Sequence, residues 1–321
     1  MEDELSEEIV LTVEANDLQF KRLDVYLTQK IKTLSRNSIK KLFEEDCIYS
    51  ATTKLELKKM PPAKTEIIVE IPPPAPTEIQ AQNIPLEFLY EDEFLAIINK
   101  PAGLVVHPAP GNYDKTLVNA ILYHCPDLKG VGNEKRPGIV HRLDKGTSGV
   151  MVVAKEHKTH EKLVEIFSKH DINRQYMALV LGTKIDPKGI LKSNIGRNPQ
   201  NRLKMKANVR VGKDAITHYK VLEYFKAASL MEMTLETGRT HQIRVHLSQL
   251  LHRPIINDEL YGNKTQEEKT LPPAALKIFK EYEHPFLHAK ILGFKHPMTG
   301  KDLHFETPPP NMFQEVWKAL K

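Results

Sequence analysis

The 321-residue sequence contains only two cysteines, Cys47 and Cys125, which lie far apart along the chain. They form neither a C-x-x-C pair nor a zinc-type spacing, so we expect two ordinary thiols and no disulfide framework. No apolar run approaches the roughly 18 residues that a membrane span needs. The chain opens on the acidic MEDELSEE, the opposite of the basic start of a signal peptide. These absences predict a globular, cytoplasmic protein without a membrane segment.

Motifs for cofactors and metals are also missing. There is no G-x-G-x-x-G after a strand and no G-x-x-x-x-G-K-[ST], so no nucleotide cofactor is expected. Among the 14 histidines, His241 and His246 are five apart, and no H-E-x-x-H or mixed His/Cys cluster occurs. Ser148 does not stand in a G-x-S-x-G elbow. We therefore expect neither a metal site, a cofactor nor a serine triad.

The length suits about two domains, and a cluster of prolines suggests where they divide. IPPPAPTEI, residues 71–79, is typical of a linker because proline removes amide donors and cannot sit inside a helix or central strand. The sequence thus predicts an N-terminal domain over 1–72, a proline-rich linker over 73–86 and a larger domain over 87–321.

The N-terminal segment predicts two helices followed by strands. FKRLDVYLTQKI has helical spacing, SRNSIKKLFEEDCIY follows with Ser35 as a possible N-cap, and TEIIVEI has the composition of a strand. Basic residues on the polar faces, among them Arg22, Arg36 and Lys40, would suit a grip on an RNA backbone. A helical hairpin with solvated cations explains the same pattern.

The larger segment is rich in short strands. FLAIINKP, GLVVHP, GIVHRL, GVMVVAK, QYMALVLG, THYKVLEYF, SLMEMTLET, AKILGFKHP and DLHFETPP are apolar or alternating runs bounded by turn residues. Helical periodicity occurs in TLVNAILYHC, THEKLVEIFSKH and RTHQIRVHLSQLL, and again in the C-terminal tail. Irregularly placed helices among strands indicate an α+β fold, with a mixed, mainly antiparallel sheet and flanking helices.

A basic stretch without any acid extends over residues 192–213, KSNIGRNPQNRLKMKANVRVGK. Such a stretch attracts phosphates through counterion release, whatever their sequence. A solvated basic loop is the equally weighted alternative. Within this stretch, the residues expected to contact the RNA backbone are Arg197, Arg202, Lys204 and Lys206.

Asp144 stands in GIVHRLDKGTSG, between an apolar run and a glycine-rich turn. Glycines add no bulk, so a substrate can approach closely. The carboxylate could act as a nucleophile or base, or it could cap the turn amides, which is common for aspartate. From this stretch alone the capping interpretation is favoured.

Two further stretches favour chemistry. ETGRTHQIRVHL places Arg239, His241, Gln242 and Arg244 where a strand becomes a helix, more donors than a helix start requires. An anion belongs there, either a phosphate or a carboxylate such as Asp144. NRQYMALV begins a strand with a tyrosine whose ring could stack on a base or pack in the core.

Taken together, NKPAGLVVHPAPGNYDKTLVNAIL, GIVHRLDKGTSGVMVVAK, NRQYMALVLG and TGRTHQIRVHLSQLLHRPIINDELYG resemble the pseudouridine synthases of the large-subunit ribosomal RNA family. The resemblance spans nearly all of residues 87–308, with the motifs in the family's order. RLDVYLTQKIKTLSRNSIKKLFEEDCIY is similar to the small RNA-binding domain that often precedes that catalytic domain. One departure is Asn257, where the family commonly has glycine; asparagine tolerates a positive φ.

The resemblance implies isomerisation of uridine within RNA, without a cofactor. The bond from nitrogen 1 to the ribose breaks, the uracil turns over, and carbon 5 is joined instead. Asp144 would be the nucleophile or base, Tyr176 would stack on the uracil and assist proton removal, and Arg244 would pair with Asp144. Arg142 would fill the gap left by the flipped nucleotide. The other expected substrate-binding residues are His141, Lys145, Thr147, Arg239, His241 and Gln242.

The implied partner is ribosomal RNA of the large subunit, free or in an assembly intermediate, and a monomer is the default oligomeric state. Two other classes of function remain open from the residues. A non-catalytic RNA-binding or ribosome-assembly factor would bind without forming product. A glycoside hydrolase would need a second carboxylate about 5–10 Å from the first, for which Asp258 and Glu259 are the nearest in sequence.

Overall fold

The computed structural model describes residues 7–71, 79–109, 111–128, 131–133, 136–201, 203–279 and 281–321. The chain divides into two compact units, residues 1–77 and 78–321. Most of the prolines of the expected linker fall outside the described residues. Its later part, 79–86, belongs to the second unit: the Gln82 N–H donates to the Asn119 carbonyl at 2.9 Å, and Ile79 and Leu86 contact that unit's core.

The first unit packs two helices against a small antiparallel sheet in which β3 lies between β1 and β2. Ser35 caps the second helix by accepting a hydrogen bond from the Ser38 N–H at 3.1 Å, which confirms the predicted N-cap. Ile39 and Leu42 face the core from that helix. The elements are β1 (Glu7–Thr12), α1 (Leu23–Lys30), α2 (Arg36–Glu44), β2 (Ile48–Tyr49) and β3 (Glu66–Ile71).

The second unit alternates strands with helices irregularly. Its first half contains β4 (Glu87–Glu91), β5 (Leu95–Lys100), α3 (Leu117–His124), β6 (Gly132–Asn133), β7 (Arg136–Pro137), β8 (Ser148–Ala154), α4 (His157–Ser168) and β9 (Asn173–Leu181). Its second half contains β10 (Lys188–Arg197), β11 (Met205–Ala207), β12 (Lys213–Tyr224), β13 (Ala228–Leu235), α5 (Gln242–Val245), α6 (Lys264–Thr270), α7 (Pro273–Phe279), β14 (Leu287–Lys295), β15 (Asp302–Glu306) and α8 (Asn311–Ala319).

A ten-stranded sheet organises this unit. The strand order is β11-β10-β12-β13-β9-β14-β8-β5-β4, with β15 added to β14. The described pairings are antiparallel except β14 with β8, which is parallel. This confirms the expected α+β fold with a mixed, mainly antiparallel sheet. The central strands β8 and β9 are almost completely buried because apolar side chains cover both of their faces.

Two expected strands are wrong. GLVVHP forms no strand because its carbonyls serve a helix: the oxygens of Val105 and Val106 accept from the first N–H groups of α3. GIVHRL makes only one isolated bridge, Ile139 with Val153, after Gly138 turns the chain at φ +70°. Asp144 therefore stands at the start of the turn that leads into β8, and not at the end of a strand.

The basic stretch also differs from a plain loop. Its first residues belong to β10, its middle forms β11, and Lys213 opens β12. Only Leu191 and Ile195 of β10 point into the core, so the strand lacks the apolar alternation by which strands are recognised from sequence. The cations consequently stand on an ordered hairpin at one edge of the sheet.

Candidate active site

Asp144 occupies the turn before β8, and its carboxylate faces two basic side chains. The Arg244 guanidinium donates from one terminal nitrogen to Oδ2 of Asp144 at 3.2 Å, and Nε2 of His241 lies 4.0 Å from the same oxygen. The turn itself is closed by the Asp144 main-chain carbonyl, which accepts from the Thr147 N–H at 3.1 Å. Among the described residues, no N–H donates to the carboxylate within the turn, and Oδ1 accepts no hydrogen bond. The carboxylate therefore does not cap its own turn, and one oxygen is available to a substrate.

Arg244 is clamped between two carboxylates. Its Nε and its second terminal nitrogen donate to the two oxygens of Asp258, each at 2.7 Å, while the remaining nitrogen reaches Asp144. Although burial lowers the pKa of Arg244, the hydrogen bonds and charge of Asp258 raise it above its ordinary value. A bidentate pair fixes the plane of a guanidinium, so Asp258 orients the donor that faces Asp144.

Asp258 is the functional residue that the sequence analysis did not assign to this role. Its side chain is fully buried, and its Oδ1 also accepts from the N–H groups of Leu260 and Tyr261 at 3.0 Å. Both oxygens are occupied, so Asp258 does not meet the requirement for a second reacting carboxylate. The preceding Asn257 adopts φ 60°. This is the left-handed conformation that glycine would adopt readily at this position and that asparagine tolerates.

Tyr176 enters from β9, separated from β8 by β14 alone. Burial raises the pKa of its hydroxyl, so the ring is neutral. On the same strand, Arg174 donates to the main-chain oxygen of Glu236 at 2.9 Å and lies 5.6 Å from the ring centre of Phe167. Phe167 in turn stacks on His141 at 4.5 Å. This stack ties the strand of Tyr176 to the segment of Asp144.

The remaining expected substrate-binding residues differ in how they are held. His141 accepts the Val152 N–H on Nε2 at 3.2 Å, and burial lowers its pKa to about 3. Gln242 is buried, accepts from Thr237 and donates to Thr217, so its side chain is fully engaged by the protein. Arg239 donates through Nε to the Asp214 carbonyl at 2.9 Å.

A cleft of about 570 Å³ brings these residues together. Its lining includes every expected catalytic and substrate-binding residue except Lys145, which is exposed elsewhere: Asp144, Tyr176, Arg244, Arg142, His141, Thr147, Arg239, His241 and Gln242. The lining also contains His107, Arg136 and Arg174, which the sequence analysis did not single out as site residues. The guanidinium of Arg142 is exposed and has no hydrogen-bond partner among the described residues. The wall is thus rich in cations around one acid, as a site for a polyanion requires.

Lys100 supports the turn of Asp144 from below. Its fully buried ammonium donates to the carbonyls of Pro101, Leu104 and Lys145 at 2.8, 2.9 and 3.3 Å. Burial lowers its pKa to about 7, and the charge of Asp144 opposes that shift. In the sequence, Lys100 belongs to the stretch NKPAGLVVHP that resembles the family, but no role was predicted for it.

Of the expected RNA-backbone residues, the three that the structure describes in the second unit, Arg197, Lys204 and Lys206, do not line the cleft. Lys206 is exposed on β11, Lys204 is half-buried with its ammonium 6.0 Å from the ring centre of Tyr261, and Arg197 ends β10. Arg202 falls outside the described residues.

The cations of the first unit have acidic partners. Arg22 and Arg36 both donate to Asp24, and Lys40 pairs with Glu44 at 3.4 Å.

The described ranges contain neither a metal-binding cluster nor a membrane-spanning helix. No group of three or more His, Cys, Asp or Glu residues there is arranged to hold a metal ion. No helix in the same ranges is long and apolar enough to cross a membrane.

Comparison with known proteins identifies the family of the chain. The family model described as RNA pseudouridylate synthase matches residues 95–249. The chain is 43% identical over 305 residues to the ribosomal large subunit pseudouridine synthase D of Zymomonas mobilis, covering 93% of each protein. It is 40% identical to the protein of that name from Pseudomonas aeruginosa, covering 95% of this chain and 93% of the relative.

Solved structures agree. Human RNA pseudouridylate synthase domain containing 4 superposes with a TM-score of 0.55 at 26% identity, covering 73% of this chain and 92% of that one. The sequence similarity to the relative from Zymomonas mobilis covers 93% of each protein, and the match to the family model includes the stretches that carry Asp144, Tyr176 and Arg244. The chain therefore belongs to the family of RNA pseudouridine synthases.

Proposed function

We propose that this protein converts specific uridines of ribosomal RNA, in the large subunit or its assembly intermediate, to pseudouridine. The observation that carries the proposal is Asp144, held through one oxygen by a guanidinium that a second carboxylate orients, with the other oxygen free in a cation-lined cleft. Its relatives from Zymomonas mobilis and Pseudomonas aeruginosa are named for the large ribosomal subunit. A non-catalytic RNA-binding factor would not need this arrangement.

In the proposed reaction, Asp144 acts as the nucleophile or base. The bond between nitrogen 1 of uracil and the ribose breaks, the uracil turns over, carbon 5 bonds to the ribose, and the proton on carbon 5 is released. Tyr176 stacks on the uracil and assists the removal of that proton. Arg244 keeps Asp144 ionised and oriented because an adjacent cation favours the carboxylate. The reaction requires no cofactor.

The target nucleotide must leave the RNA stack, since neither face of the base nor the ribose is accessible within it. Unstacking costs a few kcal/mol, which contacts with the RNA backbone offset. Arg142 is exposed at the cleft and has no described partner, which suits it to fill the vacated space. Lys145, exposed beside Asp144, is proposed as a phosphate contact. His141, Thr147, Arg239 and Gln242 complete the proposed substrate-binding set, whereas His241, which was also expected to bind the substrate, lies against Asp144.

Contacts beyond the cleft are assigned to two regions. The hairpin of β10 and β11 would hold the RNA backbone through Arg197, Arg202, Lys204 and Lys206. We further propose residues 1–72 as an RNA-binding domain that acts through Arg22, Arg36 and Lys40, residues 73–86 as the linker, and residues 87–321 as the catalytic domain. A monomer acting in the cytoplasm is the simplest arrangement.

Release of tritium from large-subunit RNA that carries [5-³H]uridine tests the proposal, because the hydrogen on carbon 5 is replaced by the new bond. The purified protein should release tritium from an unmodified transcript, and mapping the product should locate pseudouridine at specific sites. Asp144→Asn should abolish release and retain RNA binding, since it removes no phosphate contact. The proposal fails if the wild-type protein forms no pseudouridine. Liberation of free uracil would favour the hydrolase alternative.

A further inference from the structure

His241 has an unusual backbone conformation. It precedes α5 with φ 55° and ψ 20°, in the left-handed region that few non-glycine residues adopt, although histidine does so more often than most. Such conformations persist where the surroundings hold the side chain in place, and they often occur at functional sites. Here a tyrosine holds the side chain. Nδ1 of His241 lies 2.8 Å from the Tyr261 hydroxyl, and the two rings meet edge to face at 5.5 Å.

The contacts of Tyr261 determine which imidazole nitrogen carries the proton. The phenolic oxygen accepts the Met205 N–H at 2.7 Å, and among the described residues its own hydrogen has no acceptor other than Nδ1 of His241. Burial lowers the pKa of His241, so its ring is neutral. Tyr261 therefore donates to Nδ1, and the single ring proton sits on Nε2.

The Nε2 atom that carries this proton lies near Asp144. Nε2 lies 4.0 Å from Oδ2, the same oxygen that accepts from Arg244, while Oδ1 accepts from no described residue. A shift of about 1 Å would convert the His241 contact into a hydrogen bond. Two donors on one oxygen would fix the rotation of the carboxylate and leave the other oxygen for the substrate.

We propose that His241 and Tyr261 are positioning residues of Asp144. Tyr261 orients the imidazole so that its Nε2–H, together with Arg244, holds Oδ2 of the aspartate and keeps Oδ1 available to the substrate. The inference rests on the proposed function of Asp144. It assigns His241 to the aspartate instead of to the RNA.

The arrangement also joins Asp144 to the basic hairpin. Met205, whose N–H holds Tyr261, opens β11 between Lys204 and Lys206. The ammonium of Lys204 lies 6.0 Å from the centre of the Tyr261 ring, and the guanidinium of Arg244 lies 5.1 Å from it. A hydrogen bond therefore links β11, which is proposed to hold the RNA backbone, to Tyr261, the tyrosine proposed to position Asp144 through His241.

Two substitutions of His241 test which nitrogen matters. His241→Asn tolerates the left-handed backbone and can still accept from Tyr261, but it offers no donor at the position of Nε2. It should lower kcat about tenfold or more, the loss expected for one hydrogen bond to a charged group, with KM unchanged. His241→Gln places an amide N–H near the Nε2 position and should recover part of kcat. A raised KM with unchanged kcat in His241→Asn would identify a substrate contact and overturn the proposal.

Tyr261→Phe removes only the hydroxyl and keeps the ring against Arg244. It should lower kcat without changing RNA affinity, and the double variant with His241→Asn should lose no more than His241→Asn alone, because both residues act through one chain of contacts. Tyr224→Phe is the matched control, since that hydroxyl bonds the Ile185 carbonyl outside the cleft. Additive losses in the double variant, or a wild-type kcat in Tyr261→Phe, would contradict the proposal.

The outcome is separable from that of the proposed function. If the wild-type protein forms no pseudouridine, the proposed function itself fails. If the wild-type protein is active and these variants keep its kcat, only the inference about His241 and Tyr261 fails.

Discussion

Asparagine substitutions at Asp144 and Asp258 should differ in their effect on stability, although both carboxylates bind the guanidinium of Arg244. The partly exposed carboxylate of Asp144 accepts one hydrogen bond of 3.2 Å from Arg244. The side chain of Asp258 has no exposed surface and accepts two hydrogen bonds of 2.7 Å from Arg244. We expect Asp144→Asn to abolish turnover at little cost in stability, and Asp258→Asn to be strongly destabilising.

The magnitudes follow from burial. Removing one partner of a buried ion pair costs about 3–5 kcal/mol, because the other charge stays desolvated without compensation. In Asp144→Asn the charge of Arg244 is still neutralised by Asp258, so the loss should stay within about 1 kcal/mol. Asp258→Asn also leaves only one oxygen to accept from Arg244 and sets an amide NH2 group against its other N–H, so kcat should fall as the guanidinium loses its fixed plane.

Urea denaturation measures the difference. Trp317 is the only tryptophan, and its indole N–H donates to Glu223 at 2.9 Å within the second unit, so its fluorescence reports on the unit that holds both aspartates. With an m-value of about 2 kcal/mol per M, Asp258→Asn should lower the midpoint by about 1.5–2.5 M, and Asp144→Asn by about 0.5 M or less. Equal midpoints for the two variants would refute the assignment of Asp258 as the structural partner.

Three further outcomes are expected. Hydrogen bonds from two arginines, that of Arg22 foremost, hold the pKa of Asp24 at about 2; its stabilisation is therefore full above its ordinary pKa of 3.8 and is lost as pH falls towards 2. Asp24→Asn should flatten that pH dependence by about 1 kcal/mol after solvent screening, measured by circular dichroism. Tyr176→Phe should leave the RNA Kd within about twofold, whereas Tyr176→Ala should weaken binding about tenfold through loss of base stacking; equal values would argue against a stack. Gly149→Ala should cost more than about 3 kcal/mol because its Cβ would collide with the Ala289 carbonyl, whereas Gly111→Ala, with no atom within 4 Å, should cost about 1 kcal/mol; similar melting temperatures would contradict this.

Local chemistry explains what could be predicted from the sequence. Ser35 caps α2, and Ile243 and Leu247 face the core, because capping and periodicity depend on residues only a few positions apart. GLVVHP and GIVHRL were wrongly predicted as strands because they have the composition of strands. Their backbone hydrogen bonds depend instead on the start of a helix and on a glycine turn. β10 was missed because its polar residues outnumber the two that point inward.

The sequence alone determined which residues are available for the chemistry: one aspartate beside a glycine turn, a tyrosine that opens a strand, and a donor-rich helix start. Only the tertiary structure decided how they combine. Asp144 and Arg244 are 100 positions apart and meet because β8, which follows Asp144, and β13, which precedes Arg244, belong to one sheet with β14 and β9 between them. The inward turn of Asp258 depends on long-range packing and on a positive φ at Asn257, neither of which is encoded by the spacing of charges along the chain.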